Sequence, residues 1–165
     1  MSRTVINSIE IIGIADEFPK SPKYFSEFSI PYDILIPCEK PNISSILSVI
    51  IKSEISSLNV IDTPIRISND GTKLSGNKLM VELKIIEQIK YVSEELTNCV
   101  YILPNNIIKT LQIVVPSTIH GEKLIDLFRK NKIIVKTYFE DAYFEIIDDR
   151  NIYSNLSIMV NVENF

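Results

Sequence analysis

The chain is expected to be mainly β: an antiparallel, β-sandwich-like fold built from two pseudo-repeated halves, each with a short helix. Three observations lead there. Short apolar runs rich in Ile and Val stop at Pro, Asn, Asp or Gly. Leu156, Ile158, Val160 and Val162 alternate with Ser157, Met159 and Asn161, the pattern of a half-buried strand. The chain also resembles itself when shifted by 79 residues.

Taken in order, Thr4 to Ala15 is an apolar, β-branched run that predicts a strand, with a bulge at Gly13. Asp16 to Lys23 holds two prolines and reads as a loop. Phe25 to Ile36 alternates loosely and is broken or edged by Pro31, then stopped by Pro37. Pro41 to Ile51 fits both helical spacing and alternation; a helix running into a strand is favoured, with its start at Pro41–Ser44. Ser53 to Ile61 and Thr63 to Ser68 read as short strands, followed by turns at Asn69-Asp70-Gly71 and Ser75-Gly76-Asn77. Lys78 to Val92 is the longest strand candidate. Its alternation slips after Ile85, which predicts a bulge at Ile85-Ile86.

Further on, Cys99 to Leu103 and Ile107 to Val115 read as strands about a turn at Pro104-Asn105-Asn106. Ile119 to Lys132 carries Leu124, Leu127 and Phe128 on one helical face and Asn131 as a stop. Ile133 to Tyr153 reads as two strands about a turn near Glu140–Ala142, ending in a charged turn at Asp148–Arg150. Leu156 to Val162 closes the chain.

The 79-residue shift lays Ile34–Pro37 on Ile113–Pro116 and Leu79–Leu83 on Ile158–Val162. Asp70 falls on Asp149, and the helix at Ile119–Lys132 falls over Lys40–Ser53. One domain, 1–165, is therefore expected, with pseudo-repeats at approximately 24–92 and 103–165 and an N-terminal strand at 4–15. At 165 residues the chain is long enough to bury a core.

Net charge is −4, and Lys and Arg are scattered among carboxylates. A duplex-binding protein carries a basic stripe, so no nucleic-acid partner is expected. No stretch of 18 apolar residues and no secretory leader stand out, so neither membrane insertion nor a signal peptide is expected. Cys38 and Cys99 allow at most one disulfide, and two free thiols are the plainer reading.

Catalytic signals are sparse. His120 is the single histidine, and no nucleophile signature surrounds it. There is no H-E-x-x-H, no C-x-x-C and no phosphate-cradling glycine loop. No catalytic residues, no cofactor and no enzymatic activity are expected. The acidic run holds one weak cation-site candidate, Glu140, Asp141, Asp148 and Asp149, with Glu145 between them. Its plain alternative is a solvated rim with Arg150 paired to a carboxylate. Tyrosines without any Trp leave a carbohydrate- or peptidoglycan-binding module as an alternative function. Leu156, Ile158, Val160 and Val162 face away from polar, uncharged neighbours, so that strand is the candidate interaction edge for strand addition.

Phe139-Glu140-Asp141-Ala142-Tyr143 followed by Ile147-Asp148-Asp149-Arg150-Asn151-Ile152 resembles the SPOCS domain of SipL-like clostridial sporulation and spore-coat proteins. Ile36-Pro37 with Lys40-Pro41-Asn42-Ile43, and Gly76 with Leu79 to Val92, match further parts of the pattern in the same order. The resemblance spans nearly the whole chain. It implies a structural, non-enzymatic protein of the bacterial spore coat or exosporium that binds itself or other spore-envelope proteins. It also implies a place in the mother-cell cytoplasm during sporulation, then in the spore surface layers. It brings no catalytic residues.

Overall fold

The computed structural model describes residues 3–6, 8–67, 69–71, 76–94 and 99–164. It is mainly β, and its sheets are antiparallel apart from one short parallel pairing. The strands are β1 (Arg3–Ile6), β2 (Ile9–Ile12), β3 (Tyr24–Leu35), β4 (Ile43–Asp62), β5 (Asn77–Ser93) and β6 (Val100–Val114). A small ribbon, β7 (Thr118–Ile119) and β8 (Glu122–Lys123), leads into helix α1 (Leu124–Arg129). Strands β9 (Ile133–Ile146) and β10 (Asn151–Asn164) complete the chain. One sheet has the order β1-β2-β4-β5-β6 and another β3-β10-β9. Side chains of both enter one buried cluster, with Leu79, Val81, Leu83 and Ile85 of β5 and Ile152, Leu156, Ile158 and Val160 of β10 fully enclosed. Burying a side chain of this size contributes about 1.5–3 kcal/mol. Among the described residues, no helix is long and apolar enough to cross a membrane.

Several elements differ from expectation, each for a physical reason. The predicted helix at Pro41–Ile51 is the first half of β4, so the first half of the chain does not carry the expected helix there. Ile43, Ile46 and Val49 are buried three residues apart, nearly one helical turn, and Ile51 two residues further on. The register with β5 shifts between Ile43 and Ser45 and between Ile46 and Ser48. Each irregularity advances the side-chain phase, so a bulged strand imitates helical periodicity.

The bulge expected at Ile85-Ile86 is not there. β5 keeps its alternation from Leu79 to Ser93 and pairs with β6 without a break. The apparent slip arose because Glu87, between Ile85 and Ile89, faces inward with them.

The predicted turn at Pro104-Asn105-Asn106 is bridged by β6; of the two readings of Pro31, break or edge, the edge holds, since β3 runs through it as an outer strand. Both are outer strands of their sheets, where a missing N–H need not cost a ladder bond. β9 likewise passes through Glu140–Ala142 with no turn. Its register against β10 jumps there instead: Asp141 faces Ser157 and Phe139 faces Ile158, leaving Glu140 as the extra residue. The run Ser53–Ile61 belongs to β4, Thr63 to Arg66 lie outside the strands, and Ser68 and Ser75 lie outside the described residues.

The run predicted as one strand at 4–15 folds back on itself as β1 and β2, with Ser8 at φ +70°. The helix expected over Ile119–Lys132 shortens to six residues. His120 (φ +50°) and Gly121 (φ +83°) make the ribbon turn before it, and Asn131 (φ +53°) ends it as anticipated.

Candidate functional site

The acidic run does not form a ligand set. Asp148 Oδ1 accepts from the amides of Arg150 (2.8 Å) and Asn151 (2.9 Å), and Asn151 Nδ2 donates to both of its oxygens. These bonds, that of the Arg150 amide first, hold the Asp148 carboxyl below the usual range. The aspartate thus closes the β9–β10 turn rather than waiting for a cation. Asp141 Oδ1 accepts from the Ala142 amide at 2.8 Å, and Glu145 accepts from the Tyr143 hydroxyl at 3.0 Å. Glu140 is pushed up by burial first and then by the charge of Glu27. Arg150 donates to the carbonyls of Pro37 (3.1 Å) and Lys40 (3.2 Å), not to the carboxylate expected of it. Among the described residues, no three His, Cys, Asp or Glu side chains are placed to hold a metal.

One prediction follows from the turn. Asp148→Ala is expected to lower the thermal midpoint modestly at neutral pH. A depressed carboxylate contributes stability above its unfolded value and loses it as pH falls through the folded value. The gap between variant and parent therefore closes in acid, below about pH 4. Melting curves across that range check this; a gap that stays constant sinks the assignment.

The candidate interaction edge also moves. β10 is the middle strand of its sheet, paired to β3 along one side and to β9 along the other. Leu156, Ile158, Val160 and Val162 are buried. That strand has no free edge to offer a neighbour. Two of its uncharged polar residues, Ser154 and Asn161, are enclosed as well. Cys38 and Cys99 are both exposed and are not joined in a disulfide.

Two constellations emerge that alternation alone did not reveal. The first is a cleft of ≈ 730 Å³ where the segment after β2 meets β4 and β9. Gly13, Glu17, Lys52, Glu54 and Tyr138 line it. The hydroxyls of Ser53 and Thr137, which also line it, are hydrogen-bonded at 2.7 Å. The Ala15 amide donates to the Phe139 carbonyl at 2.9 Å, and Phe18 lies against Tyr138 with ring centroids 6.0 Å apart. Residues 13–17 thus form one wall. The cleft offers charge of both signs, hydroxyls and one aromatic face.

The second is a buried polar bridge. Glu87 is fully enclosed on β5. It accepts from the Tyr32 hydroxyl of β3 and, at 2.7 Å, from Asn105 Nδ2 of β6. Burial pushes the Glu87 carboxyl up, and the bonds from Tyr32 and Asn105 offset part of that. Burial, followed by the Glu87 charge, pushes the Tyr32 phenol up in turn. The three residues join strands of both sheets. A carboxylate standing between Ile85 and Ile89 in strict alternation was the sequence signal for it.

No family model, curated protein or solved structure matches this chain.

Proposed function

We propose that this is a non-enzymatic structural protein of the bacterial spore envelope, coat or exosporium, acting by self-association or by binding other coat proteins. The supporting observation is an outer strand, β6, whose outward face bears no charge. Apolar, uncharged edges are what strand addition uses and what solitary β proteins avoid. The motif order around Phe139–Tyr143 and Ile147–Ile152 supplies the spore context through the SPOCS resemblance.

The reading includes a sandwich of two pseudo-repeats. Under the 79-residue shift, the pairs Ser57↔Glu82, Leu58↔Val81, Asn59↔Met80 and Val60↔Leu79 fall on Lys136↔Asn161, Thr137↔Val160, Tyr138↔Met159 and Phe139↔Ile158. All four of the latter are pairs of β9 with β10. In this scheme each half lends its first strand to the other's sheet: β6 joins β4–β5, and β3 joins β9–β10. Such an exchange supports one interlocked domain over two separable ones.

Fractionation of spores from the source organism tests the role. The chain is expected in the detergent-insoluble envelope fraction by mass spectrometry, with altered coat layers by electron microscopy when the gene is deleted. Absence from the spore together with an unaltered envelope sinks it.

The cleft favours a second reading, a carbohydrate- or peptidoglycan-binding module, since hydroxyls, carboxylates and Tyr138 converge there. Titration with soluble peptidoglycan fragments should then move the amide resonances of Ser53, Thr137 and Tyr138. Unmoved resonances at millimolar fragment remove this alternative.

A further inference from the structure

The outer strands of the two large sheets are not alike. β3 carries Glu27, Pro31 and Asp33 on its exposed face. β9 carries Lys136, Glu140, Asp141 and Glu145, and β1 is only four residues long. Charges, prolines and shortness are the usual means of keeping an edge unpaired. β6 has fifteen residues, roughly 50 Å at the usual rise, with Lys109 its one charge and Pro104 its one break. Val100, Ile102, Ile108 and Val114 stand 50%, 56%, 64% and 62% exposed along one face. Composition of this kind is found here on β10, which has a neighbour on each side. β6 has the composition of an inner strand and the position of an outer one.

We infer that β6 docks on β6 of a second copy, antiparallel, about a two-fold axis at Ile107. This rests on the assembly reading above and names its partner and surface. A closed, isologous contact requires a surface complementary to itself, and β6 meets that requirement along its length. Full overlap sets Val100 opposite Val114 of the second copy, Ile102 opposite Gln112, Pro104 opposite Thr110 and Asn106 opposite Ile108. Lys109 faces Asn105, so no like charges meet.

The next strands inward agree. On β5, Lys78, Glu82, Lys84 and Lys90 pair with Val114, Thr110, Ile108 and Ile102. Continued across the axis, those rows reach Val92, Gln88, Ile86 and Met80 of the second copy, through the pairings of Val100, Pro104, Asn106 and Gln112. Each charged row of one copy therefore ends on an uncharged residue of the other. Pro104 costs the new ladder at most one bond per copy. The product is a continuous sheet running through both chains.

Sedimentation velocity on the full chain should give a concentration-dependent dimer. Ile108→Lys, at an exposed site, should leave the thermal midpoint of the dilute monomer unchanged and weaken the dimer by at least about tenfold, because the charge enters the interface twice. In a Cys38→Ser, Cys99→Ser background, Ile107→Cys should cross-link to itself on mild oxidation. Asn106→Cys and Ile108→Cys should each fail alone and cross-link when mixed. A chain that stays monomeric at millimolar concentration overturns the inference. So does a dimer that tolerates Ile108→Lys and ignores this cross-linking pattern. Neither result touches the spore-envelope role, which the fractionation experiment decides separately.

Discussion

Gly13→Ala is expected to detach the N-terminal hairpin and open the cleft while the rest of the fold stays closed. Gly13 sits at φ +127°, outside the range of ordinary side chains. A Cβ there would lie 2.2 Å from the Ile51 carbonyl oxygen. Ile51 cannot retreat: it is buried on β4 and opposed by Glu87 of β5. The lighter partner must give way. β2 holds β4 through three residue pairs, Glu10↔Ser48, Ile11↔Val49 and Ile12↔Ile50, with Ile11 and Ile14 buried behind them. Local loss of about 3 kcal/mol should speed amide exchange over residues 9–17 on the order of 100-fold. Exchange in β5 should be unchanged. Any ligand of the cleft should weaken in parallel, because residues 13–17 are one of its walls. Exchange at the parent's rate over 9–17 would show that the β2–β4 approach is looser than 2.2 Å implies.

Where the sequence was readable, one face of a strand was in steady contact with the core. β5 alternates from Leu79 to Ser93 and its burial follows; β10 alternates in sequence, but Met159 and Asn161 on its second face are buried too. β4 was unreadable over Ile43–Ile51 because its irregular register mixes two periodicities. Pro104 misled: it lies within a strand, as Pro31 does, because those strands are outermost, a property of sheet order and not of local sequence. The same ignorance of order put the interaction edge on β10. Its uncharged polar residues mark a strand with two neighbours, as Ser154 and Asn161 show by being enclosed. For the candidate site, the acidic cluster was visible in the sequence, but the bonds its members make were not. Asp148 is a turn residue by its bonds, and Glu87, the fully buried carboxylate among the described residues, was hidden inside an apolar alternation.

Glu87 should govern how stability depends on pH. Its folded value is raised, chiefly by burial, against an unfolded value near the usual ~4.3. Between the two, the folded chain binds the proton that the unfolded chain has released. The contribution is therefore fully present below the unfolded value and is lost as pH rises through the folded one. Glu87→Gln keeps an acceptor for Tyr32 and, with the Asn105 amide turned over, a partner for Asn105, yet carries no charge. It should match or exceed the parent at neutral pH and flatten the decline above about pH 4.3. Glu87→Ala should behave oppositely, losing about 2–4 kcal/mol, since it leaves a void and strands the Tyr32 hydroxyl and the Asn105 amide. Urea unfolding of the three proteins from pH 4 to pH 8 separates these outcomes. A parent whose stability rises through that interval by more than the Gln variant's would mean that the bonds from Tyr32 and Asn105 outweigh burial. The bridge also bears on assembly. Asn105 lies beside Ile107, at the middle of β6, and its 2.7 Å bond to Glu87 ties that edge to β5. Glu87→Ala should therefore loosen β6 against its own sheet and weaken pairing with a second copy, whereas Glu87→Gln should preserve both.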